Sequence, residues 1–170
     1  MRDWKDVWLH EGFANYAELL WSEHIGEGTA AEVAQFIHDS FPATDPIWQI
    51  TVGDPGPADQ FNIAVYRRGA LTLQALRTTV GDAAFFQILR TWTSTHRYEA
   101  VTTAQFIAHS EQISGQQLDD LFTTWLYTTG KPAVGPNGPT IRAAAVTEPK
   151  SFRTIDETTR LLSARVHPHN

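Results

Sequence analysis

The sequence predicts a mainly α-helical fold. Apolar residues recur at helical spacing over most of residues 8–130, Gly and Pro fall at the ends of those runs, and no repeat of fixed period marks a solenoid. The chain has 170 residues, 42% of them hydrophobic, with six Trp and nine Phe, enough apolar side chain for the core of one domain.

Taken in order, the first helix runs from about Trp8 to His24, with Phe13, Ala17, Leu20 and Trp21 on one stripe and Gly26 and Gly28 at its end. Thr29-Ala30-Ala31-Glu32 has the form of a capping box, so a second helix carrying Val33, Phe36 and Ile37 follows until Pro42. From Pro42 to about Asp59 the Pro and Gly content predicts a long ordered loop, pinned by Ile47, Trp48, Ile50 and Val52. Ile63–Val80 is the third helix, closed by Gly81. Asp82 reads as the N-cap of a fourth, carrying Phe85, Phe86, Leu89 and Trp92. Thr102 or Thr103 caps the fifth, with Phe106, Ile107 and Ile113, closed by Gly115. The sixth carries Leu118, Leu121, Phe122, Trp125 and Leu126, and Gly130 with Pro132 stops it.

Beyond residue 134 the composition changes. Gly135, Pro136, Gly138 and Pro139 form a turn-rich linker, and Thr140–Thr147 and Leu161–Val166 have modest strand character. The reading is a helical part over residues 1–134 and a linker and tail over 135–170, the tail being either the start of a β-domain or a terminal extension.

Composition excludes several function classes. A formal charge of −6 with no basic stripe argues against nucleic acid as a partner. No apolar run approaches the roughly 18 to 20 residues that span a bilayer, and the opening Met1-Arg2-Asp3-Trp4-Lys5-Asp6 has no signal-peptide core, so no membrane association is expected. The chain has no cysteine, which excludes disulfides and thiolate sites but leaves the compartment open between cytoplasm and export. Any metal must use His, Asp or Glu. The start is abrupt, with Trp4, Val7, Trp8 and Leu9 arriving almost at once, as in the middle of a longer chain.

The most informative stretch is Trp8–Glu18. On a helix Glu11, Asn15 and Glu18 fall on one polar line. A solvated face is the ordinary explanation of such a line. Its place between Trp8 and Trp21 points instead to inward carboxylates, which need a cation or a metal as partner. His24, His38, His96 and His109 sit near helix ends or on polar faces and read as solvated or hydrogen-bonded. His10 points about 100° away from Glu11, and His167 and His169 lie in the tail.

Trp4-x-x-x-Trp8-Leu9-x-Glu11-Gly12-Phe13-Ala14-x-Tyr16-x-Glu18 resembles the segment that follows the zinc-binding His-Glu-x-x-His of the gluzincin aminopeptidases, the aminopeptidase N and leukotriene hydrolase family. Val65-Tyr66-Arg67-Arg68-Gly69-Ala70 is similar to that family's Tyr-x-Lys/Arg-Gly element. Phe122-x-x-Trp125-x-x-x-x-Gly130-x-Pro132 is similar to its closing signature. The three motifs occur in the family's order over about residues 4–134. The departure at position 10, where the family has Asn, is His10.

The resemblance implies the helical subdomain of a thermolysin-like metallopeptidase catalytic domain. It implies that Glu11 is one of three protein ligands of a catalytic zinc, that Tyr66 is the catalytic donor to the oxyanion of the tetrahedral intermediate, and that Glu18 braces a zinc ligand from behind. The two zinc histidines, the general-base Glu and the amine-binding loop of the family have no counterpart in this sequence. The expectation is therefore a fragment of a zinc aminopeptidase acting on the N-terminal residues of peptides, inactive alone and binding zinc weakly. Its partners are a peptide substrate and the other half of the catalytic domain, with self-association through the uncovered apolar surface. The alternative is a non-catalytic helical module that binds protein or peptide.

Overall fold

Two helices, α1 (Trp8–Ile25) and α4 (Ile63–Val80), cross at the centre of the molecule and everything else packs around them. The computed structural model describes residues 3–139 and 147–165. α1 follows a short 3-10 turn, Trp4–Asp6, and stops where Gly26 takes φ 74°, a left-handed conformation that costs glycine little. α4 starts where the Asn62 side chain accepts the Ala64 amide at 3.0 Å. Every residue from Ala64 to Leu76 is buried, as befits a helix surrounded on all sides.

The crossing is made by two glycines. A Cβ built on Gly12 would lie 2.8 Å from the Gly69 Cα, and one on Gly69 would lie 2.7 Å from the Gly12 Cα. Gly inside a helix costs about 1 kcal/mol relative to Ala. Here it lets two backbones touch.

Around this pair lie α2 (Ala30–Ser40), α3 (Gly56–Asp59), α5 (Asp82–Thr95), α6 (Thr103–Ser114), α7 (Asp119–Phe122) and α8 (Phe152–Arg165), with a 3-10 turn at Pro46–Gln49. The expected capping box at Thr29 and Glu32 is formed, and Thr102 with Gln105 forms another. Trp8 is fully buried and stacks edge-on with Phe106, while its indole N–H donates to the Thr103 hydroxyl at 2.8 Å. Buried Asp6 accepts from the Thr103 amide and hydroxyl at 2.9 and 2.7 Å, which ties the α6 N-terminus to the start of α1.

Arg68 closes the far side. Its guanidinium is fully buried and donates to the carbonyls of Trp48, Ile50, Trp125 and Thr128 at 3.4, 2.5, 3.0 and 2.9 Å. Burial pulls its pKa down to about 10, still far above neutrality. One side chain of α4 thereby fastens the Pro46–Thr51 stretch to the segment after α7.

Several expectations need correction. The buried stripe of α1 is Trp8, Leu9, Gly12, Tyr16 and Leu19; Ala17 is exposed and Trp21 is 62% exposed, because α4 lies a third of a turn from the predicted face. The N-cap of α5 is Gly81, and Asp82 occupies the first turn, where its carboxylate binds Arg77 at 2.8 Å. The Pro42–Asp59 loop contains the 3-10 turn and α3. The sixth helix opens into a π-helical turn, Thr123–Tyr127. His38 is only 7% exposed and stands edge-on to Trp48, since the face of α2 that carries Ala34 and Ile37 also carries it inward. Leu161–Arg165 is helix, not strand: Phe152 and Ile155 face inward at helical spacing, whereas a lone short strand has no ladder to join. The Thr140–Thr147 expectation falls almost wholly outside the described residues, as does Val166. Among the described residues no helix is long and apolar enough to cross a membrane.

Candidate active site

Glu11 and Tyr66 are brought together by the glycine crossing. Glu11 immediately precedes Gly12 on α1, and Tyr66 lies one turn before Gly69 on α4. With no side-chain layer between the helices, the carboxylate faces the phenol. Tyr66 is 3% exposed, and burial, followed by the adjacent Glu11 charge, pushes its pKa up to about 12. At neutral pH the phenol therefore keeps its proton and can donate a hydrogen bond. Glu11 is half-buried at the end of the polar line.

Further along the line, Asn15 is buried and its amide donates to Glu18 Oε2 at 3.0 Å and to Thr159 Oγ1 on α8 at 3.1 Å. Burial raises the Glu18 pKa; the Asn15 bond and the Arg67 charge oppose it. Arg67, beside Tyr66 in sequence, is fully buried and pairs with Asp156 of α8 at 2.8 Å. Burial lowers its pKa, against the pull of Asp156 and Glu18. Glu18 thus sits in a polar joint with Asn15 and Arg67.

Two functional features escape sequence reasoning: the paired glycines that set the Glu11–Tyr66 approach, and the inward course of both Arg67 and Arg68. The available signal is that two arginines interrupt an otherwise apolar helix centre, between Val65 and Leu71.

A catalytic zinc takes three protein ligands and an open position. Among the described residues no three His, Cys, Asp or Glu side chains come together to hold a metal ion. The donor set present, one carboxylate beside a protonated phenol, does not by itself fit that ion.

Known proteins share this fold. The M1 zinc metallopeptidase of Deinococcus radiodurans superposes with a TM-score of 0.68 at 30% identity, covering 84% of this chain and 31% of that one. A mutant of it bound to a Tyr-Ser-Ala substrate gives 0.68 at 31% identity, over 81% of this chain and 31% of that one. Aminopeptidase N of Streptomyces lividans is 27% identical over 147 residues, 80% of this chain and 17% of its own length. Aminopeptidase M1-D of Oryza sativa subsp. japonica is 24% identical over 79% of this chain and 16% of its own length. The chain thus spans about a sixth of the length of these curated relatives.

The scaffold is that of a zinc metallopeptidase, mainly α as predicted. The Peptidase family M1 domain matches residues 1–125, and the chain belongs to that family.

Proposed function

We propose that this chain provides the helical side of an aminopeptidase active site, in which Glu11 contributes one zinc ligand and Tyr66 the hydrogen bond that stabilises an oxyanion. The observation that carries this reading is the Glu11–Tyr66 juxtaposition, formed by the two motifs that resemble the family's ligand and tyrosine elements. Tyr66 suits its role because it is protonated and held by the buried stretch Ala64–Leu76 of α4. Glu11 suits its role because it is half-buried at the open end of its line. The remaining ligands come from polypeptide other than the described residues, and the chain by itself turns over no peptide. Glu18 supports the site from two turns away through Asn15.

The test joins this chain to a segment bearing His-Glu-x-x-His, encoded in frame upstream or supplied by coexpression. The pair should bind one zinc and hydrolyse an aminoacyl anilide. Glu11→Gln should abolish zinc binding, and Tyr66→Phe should keep the zinc while lowering kcat by about 10² to 10³-fold. Zinc and turnover unchanged by Glu11→Gln would refute the assignment.

A further inference from the structure

α8 lies beyond the segment that matches the M1 family, which ends at residue 125, yet it packs back onto the polar line of α1. Ser151 meets Ser22 with their hydroxyl oxygens 2.6 Å apart, and Thr159 meets Asn15 at 3.1 Å. The two helices therefore run antiparallel, and α8 follows the line of Glu18 and Asn15 towards Glu11. Its polar attachments are these two contacts, the Ser151 amide donating to the Glu27 carbonyl at 3.4 Å, and the Arg67–Asp156 pair. Ile155 is its buried apolar side chain, with Phe152 against Phe36, while Leu161 is 54% exposed.

The fit beneath it is incomplete. Asn15 Oδ1, Arg67 Nε and Arg67 Nη1 are buried with no hydrogen-bond partner. Each such atom subtracts from what docking gains. Beside them an open groove of about 440 Å³ runs between the helices, lined by Ala14, Ala17, Glu18, Trp21, Thr154 and Thr158. A helix of the permanent core would fill that space.

We propose that α8 is an intramolecular cap, which undocks from α1 and α4 as a unit and, while docked, denies the Asn15–Glu18 face to any other polypeptide segment. Under the reading of Glu11 given above, the excluded segment is the one that completes the metal site, so docked α8 is an autoinhibitory contact. That consequence rests on the Glu11 reading; the undocking does not.

Hydrogen exchange on the intact chain tests it. Amides of α8 should exchange at least about 100-fold faster than those of Ala70–Leu76 in α4, through an opening smaller than global unfolding. Asp156→Asn should speed α8 a further tenfold or so, leaving α4 unchanged, because it removes the charged partner of Arg67. Because the chain has no cysteine, Ser22→Cys with Ser151→Cys adds its only thiols. Oxidising that pair should slow α8 to the rate of α4. Exchange of α8 in step with α4 in the unmodified chain, or an Asp156→Asn effect equal on both helices, would overturn the cap. Neither measurement involves metal or substrate, so failure of the cap and failure of the Glu11 reading are seen separately.

Discussion

Replacing Gly69 with alanine places a methyl carbon 2.7 Å from the Gly12 Cα, where carbon atoms in contact normally stand about 3.5 to 4.0 Å apart. Both neighbours are helix backbone, so no rotamer change relieves the clash. α1 and α4 must separate by roughly 1 Å, which opens contacts along the most extensively packed helix pair in the molecule. Overpacking of this kind costs about 1 to 3 kcal/mol. Higher helix propensity returns at most about 1 kcal/mol. A net loss of about 1 to 2 kcal/mol is therefore expected, read as a lower urea midpoint at unchanged m-value. The separation also carries Glu11 away from Tyr66, so the phenol pKa should fall from about 12, measured by ultraviolet difference titration with Tyr66→Phe as the blank. A Gly69→Ala protein as stable as the parent, with the Tyr66 titration unmoved, would refute the crossing as the determinant of the site.

Arg68→Lys should cost about 3 kcal/mol or more in denaturant unfolding despite keeping the charge, because an ammonium cannot serve four carbonyls spread over two segments; a loss below about 1 kcal/mol would contradict the role given to it. Burial holds the His38 imidazole below its ordinary 6.5, so the unfolded chain binds the extra proton first. The stability that neutral His38 contributes should be lost progressively as pH falls below about 6.5, and His38→Gln should flatten the urea midpoint over that range; an identical slope in both proteins would refute it. With Trp21, Ile25, Leu161 and Leu162 exposed, the chain should self-associate at micromolar concentrations; a single monomeric species in sedimentation would refute this.

The helices were legible wherever a cap or stop is local chemistry. Thr29 with Glu32, Gly81 and Gly115 mark their boundaries through bonds or dihedral angles set within a few residues. The face each helix buries was less legible, because it depends on neighbours. α1 is covered by α4, α2 and α8, so no single stripe of Phe13, Ala17 and Trp21 describes it. Glu11 and Tyr66 were legible as motif members, whereas their approach depends on two glycines far apart in sequence whose pairing no local pattern announces. The inward course of Arg67 and Arg68 was not legible, since nothing local announces an acceptor on α8 or four carbonyls from distant segments. The last helix was missed because a short apolar run such as Leu161–Leu162 suits either period.

The Arg68 knot has a further consequence. Four carbonyl oxygens converging on one positive group form a ligand cage of the kind that often holds a metal ion between loops. Here the cation is covalently part of the cage. An ion from solution stabilises a fold by mass action and is lost to a chelator or to dilution. A tethered guanidinium has no free concentration, so the closure of this side of the molecule stays independent of the ionic composition around it. The joining of these two segments therefore carries no metal dependence.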